Sequence, residues 1–189
     1  IEDQLDGLTF KISAQSFYQI NPTQTERLYQ TAIKQAGLTG KETVIDAYCG
    51  IGTISLSMAR HANKVYGVEI VPQAIADAKR NAAVNKLTNL TFEVGEAESW
   101  MATWQAQGIK PDVIMVDPPR KGLTESLITS ATAMAPKKIV YVSCNPATLV
   151  RDLQSFIAKG YHVAAPIQPV DQFPQTTHVE TVVLMSRNI

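Results

Sequence analysis

The residues of this chain best placed to do chemistry are one thiol, a pair of closely spaced glycines and a few carboxylates at strand ends. Cys144 closes the run Ile139-Val140-Tyr141-Val142-Ser143-Cys144 and is followed by Asn145-Pro146. The apolar, β-branched run reads as a buried strand, and Asn145-Pro146 supplies an N-cap and a first-turn proline for a helix. A thiol between a strand's C-terminal end and a helix N-terminus sits at the edge where open α/β sheets bind ligands. The helix end is expected to favour the thiolate, lowering the pKa from its free value of about 8.5. That is the chemistry of a nucleophile. The plainer reading is a small buried cysteine that only packs, which is the commoner fate of an isolated Cys.

A second constellation is Asp46-Ala47-Tyr48-Cys49-Gly50-Ile51-Gly52, which joins a strand to a helix. The glycines let the backbone turn tightly and approach a ligand. A third glycine of the dinucleotide fingerprint is absent, because position 55 is Ser, and no Walker-type Gly-Lys-Ser/Thr follows. Glu69 ends the next strand, 19 residues beyond Gly50 (69 − 50), near the spacing at which a carboxylate meets a ribose diol. Glycine turn and carboxylate together point to an adenosine-bearing cofactor without pyrophosphate, which fits S-adenosyl-L-methionine better than NAD. Asp117-Pro118-Pro119-Arg120 follows a later strand, where two prolines stiffen the loop that carries Asp117. It reads as a wall of the same site.

The elements that must position these residues alternate. Leu8 to Ile12 and Phe17 to Ile20 are short extended pieces, and Asn21-Pro22 opens a helix that stops at Gly37. Strands are expected at 43–48, 64–69, 90–94, 112–116 and 138–143, with helices after the glycine turn and at 72–85, 96–107, 124–134 and 146–159. Two last extended runs, His162 to Ile167 and His178 to Met185, flank a polar loop without helical pattern. Regular βα alternation implies a mostly parallel sheet covered on both faces; two final strands without a crossover helix should pair antiparallel. The expected fold class is α/β, a doubly wound, mostly parallel seven-stranded sheet with a final antiparallel hairpin, the pattern of class I methyltransferases. Residues 38–189 would be the catalytic domain, with 1–37 an extended segment and helix packed on it.

At 189 residues, 45% hydrophobic and 18% charged, the chain has the balance of one globular domain. No apolar run reaches the roughly 18 residues of a membrane span. Two distant cysteines do not form a disulfide framework, so the cytoplasm is the expected compartment. Lys+Arg and Asp+Glu are equal at 17 each, and the positives are dispersed, which argues against strong autonomous binding of nucleic acid.

The chain resembles the catalytic domain of the RNA uracil-5-methyltransferases. The matching stretches are Phe17-Tyr18-Gln19-Ile20-Asn21, Asp46 through Gly52, Asp117-Pro118-Pro119-Arg120-Lys121-Gly122, Ser143-Cys144-Asn145-Pro146 and His178-Val179-Glu180, in the family's order and over nearly the whole chain. The resemblance implies S-adenosyl-L-methionine as cofactor, with Gln19, Tyr48, Glu69 and Asp117 among its contacts and Gly50 in the turn beneath it. Glu96 stands where an acidic or amide residue often meets the adenine. It further implies Cys144 as nucleophile, Glu180 as base, no metal, and an RNA substrate, ribosomal RNA before tRNA. Family members usually carry an additional N-terminal RNA-binding domain, often with an iron–sulfur cysteine cluster; neither is found in this sequence, so the chain is expected to be part of a longer protein.

The implied reaction overcomes the poor nucleophilicity of uracil carbon 5 by adding a thiolate to carbon 6. Without the resemblance, Glu180 reads only as an edge-strand carboxylate. Cys144 and Glu180 are 36 positions apart (180 − 144), so they meet only if the final strand lies beside the one preceding Cys144. Two other readings compete: an amino-group methyltransferase on adenine or protein, disfavoured by Arg120 where an aromatic residue would follow the prolines, and a non-catalytic cofactor- or RNA-binding domain.

Overall fold

The structure, a computed structural model, describes residues 1–14 and 16–187. A hairpin of β1 (Glu2–Leu5) and β2 (Leu8–Lys11) opens the chain, followed by α1 (Pro22–Ala36). Strand and helix then alternate through β3 (Thr43–Ala47), α2 (Thr53–Ala59), β4 (Lys64–Glu69), α3 (Pro72–Val84), β5 (Leu90–Val94) and α4 (Ala97–Ala106). The alternation continues through β6 (Val113–Val116), α5 (Glu125–Ala133), β7 (Lys138–Ser143) and α6 (Pro146–Ala158). The chain closes with β8 (Tyr161–Val163), β9 (Gln168–Val170) and β10 (Glu180–Arg187).

The main sheet runs β5-β4-β3-β6-β7-β10-β8, with β9 also paired to β10. Strands β3 to β7 are parallel, whereas β10 is antiparallel to β7, β8 and β9. The chain leaves β3 toward β4 on one side and returns to β6 on the other. The strand order therefore reverses at β3/β6, where such sheets open a ligand crevice.

Burial follows from alternation. Val44, Val113, Met115, Val140 and Val142 face one apolar layer, and Ile45, Ile114, Val116, Ile139 and Tyr141 face the other. Successive side chains of a strand point to opposite faces, so a continuous apolar run fills both layers at once. Leu5, Phe10, Leu28 and Ala32, from the first 37 residues, lie in the same layer as Val44 and Val140. Each such aliphatic side chain contributes about 1.5–3 kcal/mol when fully buried. The ends of α1 are set as its sequence requires: Asn21 accepts a hydrogen bond from the Gln24 N–H at 3.3 Å, and Gly37 is left-handed with φ +62°.

Four details depart from expectation. β1 has no alternation long enough to announce it. Phe17 to Ile20 joins no ladder: Asp77 on α3 accepts from the Ser13 N–H at 3.2 Å and the Ser16 hydroxyl at 2.9 Å, turning the chain away. The run expected at 162–167 shortens to β8, and the loop beyond it holds β9, whose Pro169 confines it to an edge. β9 pairs with β10 and makes an eighth strand of the main sheet among the described residues, while β10 itself lies beside β7, as a meeting of Cys144 and Glu180 requires.

Gly52 caps α2 at φ +84°, and a Cβ there would lie 2.8 Å from Leu56 Cδ1, 3.1 Å from Phe92 Cζ and 3.3 Å from the Ala78 Cβ. Gly52→Ala combines backbone strain with overpacking, so a loss of about 1–3 kcal/mol is expected. Urea unfolding of the two proteins measures it.

Candidate active site

Every parallel strand delivers its C-terminal end to one edge of the sheet. β3 leads into Tyr48, Cys49 and Gly50, β4 ends on Glu69, β5 is followed by Glu96, β6 by Asp117, and β7 by Cys144. Between β3 and β6 lies a cavity of about 50 Å³ lined by Gln19, Tyr29, Asp46, Tyr48, Gly50, Thr53 and Asp117, with Phe17 and Tyr18 at its side. Of the residues singled out from sequence, Gln19, Tyr48, Gly50 and Asp117 therefore come together around one space.

The glycine turn is built for close approach. Gly50 adopts φ +53°, and a Cβ placed on it would meet nothing within 4 Å. Tyr48 takes φ +69° despite its side chain, a conformation that costs an L-residue roughly 1–3 kcal/mol and persists where its surroundings impose it. Its phenol is pushed up to about 12, first by burial and then by Glu98, Asp152 and Glu69. Glu69 holds the turn by accepting from the Gly50 N–H at 3.3 Å and the Val71 N–H at 3.0 Å.

Glu96 stands apart. It is the exposed N-cap of α4 and makes no side-chain capping bond, and it does not line the cavity.

Of the lining residues, Tyr29, Thr53 and Ile54 were not singled out from sequence, whereas Asp46 opens the glycine-turn stretch that was. Tyr29 of α1 and Thr53 at the start of α2 share a hydrogen bond of 3.1 Å, and Asp46 accepts one from the Ser55 hydroxyl. Thr53 had a legible signal, as the first helical residue after the glycine turn. Tyr29 had none, since it reads as one more apolar position on the buried face of α1.

A second group adjoins the first. The β7–β10 ladder pairs Ser143 with Thr181, so Cys144 and Glu180 are the next positions across the two strands. Facing residues of an antiparallel pair stand about 4.5–5.5 Å apart at Cα. Glu180 is 6% exposed, and burial, offset by Arg120, holds its carboxyl above the ordinary range. The Cys144 thiol is pushed up, not down: burial acts first, then Glu180 and Asp117, against smaller lowering effects of its own backbone and Arg120. The expected lowering by the helix end is thus overturned, because burial first, and then the carboxylates of Glu180 and Asp117, disfavour the thiolate.

Asp117 joins the two groups. Its carboxyl is raised to about 8 by burial, then by Glu180 and Asp46; that of Asp46 is raised to about 7 by burial, with the Ser55 bond lowering it and Glu69 raising it. Among the described residues no Lys or Arg lines the cavity. The folded protein therefore holds protons on these groups that the unfolded chain would release. The stability this gives is complete below the ordinary carboxyl value of 3.8 and is lost progressively as pH rises from there to about 7 to 8. Asp117→Asn is expected to flatten that decline of Tm in the ligand-free protein, as read from thermal melts across pH.

The parallel sheet with its switch at β3/β6, a glycine turn at that point and an antiparallel strand inserted beside β7 define the class I methyltransferase fold. Within that class the chain belongs to the tRNA (uracil-5-)-methyltransferase family, whose family model matches residues 4–188. It is 68% identical over 187 residues to an uncharacterized RNA methyltransferase of Lactiplantibacillus plantarum, covering 99% of this chain and 41% of that protein. Another, from Listeria monocytogenes, is 59% identical over 188 residues, covering 100% and 41%. The chain thus spans about two-fifths of the length of these relatives. The Pyrococcus abyssi tRNA (uracil-54, C5)-methyltransferase, solved with S-adenosyl-L-homocysteine, superposes with a TM-score of 0.82 at 32% identity over 98% of this chain and 44% of that one. M. jannaschii tRNA m1G37 methyltransferase shares the fold alone, with a TM-score of 0.77 at 16% identity over 100% of this chain and 56% of that one. No helix among the described residues is long and apolar enough to cross a membrane.

Proposed function

We propose that this chain, within its full-length protein, transfers a methyl group from S-adenosyl-L-methionine to carbon 5 of a uridine in RNA, through a covalent bond between Cys144 and carbon 6. The observation that carries this reading is the position of Cys144, just past the end of β7, next to Glu180 at the start of the neighbouring β10 and beside Asp117, the wall of the adjoining cavity. The donor set fits a sulfonium cofactor. Asp46 and Asp117 are raised carboxylates without a cationic neighbour in the cavity lining, and a positive charge beside them would restore their ionised form.

When bound, the cofactor supplies an electrophilic methyl group. Glu69, fixed by two N–H donors, accepts from a ribose diol, while Gln19, Tyr48, Gly50 and Asp117 line the space for the rest; the adenine contact of Glu96 rests on family resemblance. Cys144 adds to carbon 6, which places negative charge on carbon 5 and its neighbouring carbonyl oxygen. A raised pKa leaves less thiolate at neutral pH but makes each thiolate a stronger nucleophile. After methyl transfer Glu180 takes the proton from carbon 5, the carbon 5–carbon 6 double bond re-forms and the bond to Cys144 breaks. A base whose pKa is raised toward the working pH suits that step.

Reaching carbon 6 requires the base to leave its stack. Phe17, 77% exposed beside the cavity, is free to stack on nucleobases, whereas Tyr18 is half-buried and packs near Phe10 with ring centroids 6.5 Å apart. The test is nucleoside mass spectrometry of rRNA and tRNA after incubation of the unmodified RNAs with full-length protein. 5-Methyluridine in either supports the reading, in rRNA as the sequence led us to expect or in tRNA as the family description suggests. A methyl group on an exocyclic nitrogen, or on no base, overturns it.

A further inference from the structure

The first turns of α6, which begin immediately after Cys144, grip the loop that carries Asp117 and Arg120. Asn145 Nδ2 donates to the Arg120 carbonyl at 3.0 Å and the Thr148 hydroxyl donates to it at 3.3 Å. The Arg151 guanidinium donates to the carbonyls of Lys121 at 3.0 Å and Leu123 at 3.1 Å. Asp152, 1% exposed, accepts from the Leu123 N–H at 2.7 Å, the Tyr141 hydroxyl at 2.8 Å and Arg151 Nε at 2.8 Å. Positions 145, 148, 151 and 152 share one face of a helix, and all of them touch residues 120–123.

The fit between loop and helix is close enough to demand a particular residue. Gly122 has φ +74°, and a Cβ on it would lie 2.6 Å from Asp152 Oδ2, 2.7 Å from an Arg151 nitrogen and 3.0 Å from Thr148 Cβ. None of these bonds reaches the cavity or the thiol. What they do is lock the loop to the turn that bears Cys144. The loop's outward-facing group is Arg120, whose guanidinium stands 3.5 Å from the ring of His178 and is the cation acting on both Cys144 and Glu180.

We propose that Arg151 and Asp152 are positioning residues: their bonds to residues 121–123 hold Arg120 against the Cys144–Glu180 pair and so set the reactivity of the thiol. This rests on the reading of Cys144 as nucleophile, but its test does not need methyl transfer. The charged groups facing Cys144 are Glu180 from β10, Asp117 from the end of β6 and Arg120 from the loop. Only the last is positive, so displacing it raises the pH at which the thiol ionises.

The experiment measures the rate of iodoacetamide alkylation of Cys144 against pH in the full-length protein, resolved from other thiols by peptide mass spectrometry. Arg120→Gln is expected to move the midpoint to higher pH. Arg151→Ala should move it the same way, and the double variant no further, since both act through one guanidinium. Arg151→Lys, which keeps a charge beside Asp152, should fold as the parent does and show a smaller shift in the same direction. In turnover, Arg151→Ala should lower kcat by roughly 10²-fold, the scale of an ångström-level misplacement, with the KM for S-adenosyl-L-methionine little changed. Tyr141→Phe removes one bond to Asp152 without freeing the loop, and should lower Tm but leave the midpoint in place. A midpoint unmoved in Arg151→Ala and Arg151→Lys, or unmoved in Arg120→Gln, overturns the proposal. Methyl transfer that survives loss of Cys144 overturns the nucleophile assignment instead, and leaves the alkylation result to be read on its own.

Discussion

Cys144→Ala is expected to abolish methyl transfer to RNA, by roughly 10⁴-fold or more, the scale on which enzymes lose rate when a covalent nucleophile is removed. Cofactor affinity should be unchanged, because Cys144 is not among the residues lining the cavity. The fold should survive as well: the thiol is half-buried and contributes little packing that a methyl group cannot supply. Two measurements check this, single-turnover transfer of labelled methyl groups to RNA and calorimetric titration of S-adenosyl-L-methionine. Residual transfer near the parent rate would sink the covalent mechanism. An independent check uses RNA containing 5-fluorouridine, in which no proton is left on carbon 5 for Glu180 to remove after methylation. The bond to Cys144 then cannot be released, and a protein–RNA species stable to denaturing electrophoresis should appear with the parent protein and be absent with Cys144→Ala.

The second large effect belongs to Glu180. Glu180→Gln keeps the size of a side chain only 6% exposed, so the β10 backbone should hold its register. Turnover is expected to fall about 10²–10⁴-fold, the usual contribution of a general base. The adduct should still form and now accumulate on ordinary uridine RNA, because the step lost comes after methyl transfer. A second consequence follows from charge. Glu180 is the largest electrostatic contributor raising the Cys144 thiol, so its neutralisation should bring alkylation of Cys144 to lower pH, opposite to the change expected on removing Arg120. A variant that turns over at the parent rate and traps no adduct leaves Glu180 without a catalytic part.

Much of the architecture was legible because it is written in local patterns. The apolar runs ending at Ala47, Val116 and Ser143, the capping residues Asn21 and Asn145, and the stops at Gly37 and Gly160 specify strands and helices without reference to distant residues. Alternation of those elements then leaves few ways to build a sheet, and it places Gly50, Glu69, Asp117 and Cys144 on one edge before any coordinate is known. Short elements were illegible for the same reason. The three residues of β9, with a proline among them, and the four of β1 are too few to carry a period.

The sequence by itself thus determined the fold class, the glycine turn and the edge on which a thiol would stand. Only the tertiary structure decided what that thiol experiences. The pairing of Ser143 with Thr181 brings Glu180 beside Cys144, and burial with two carboxylates raises the thiol where a helix end alone had suggested lowering. Tyr29 turns from a core position into a cavity wall, and Glu96 stays outside the cavity. The Asn145–Asp152 face fastens the Arg120 loop through backbone atoms that carry no mark in the residue types. Strand and helix periods are properties of neighbouring residues. Electrostatic surroundings and cross-strand partners depend on which distant segments share a buried boundary, and that is settled only when the whole chain packs.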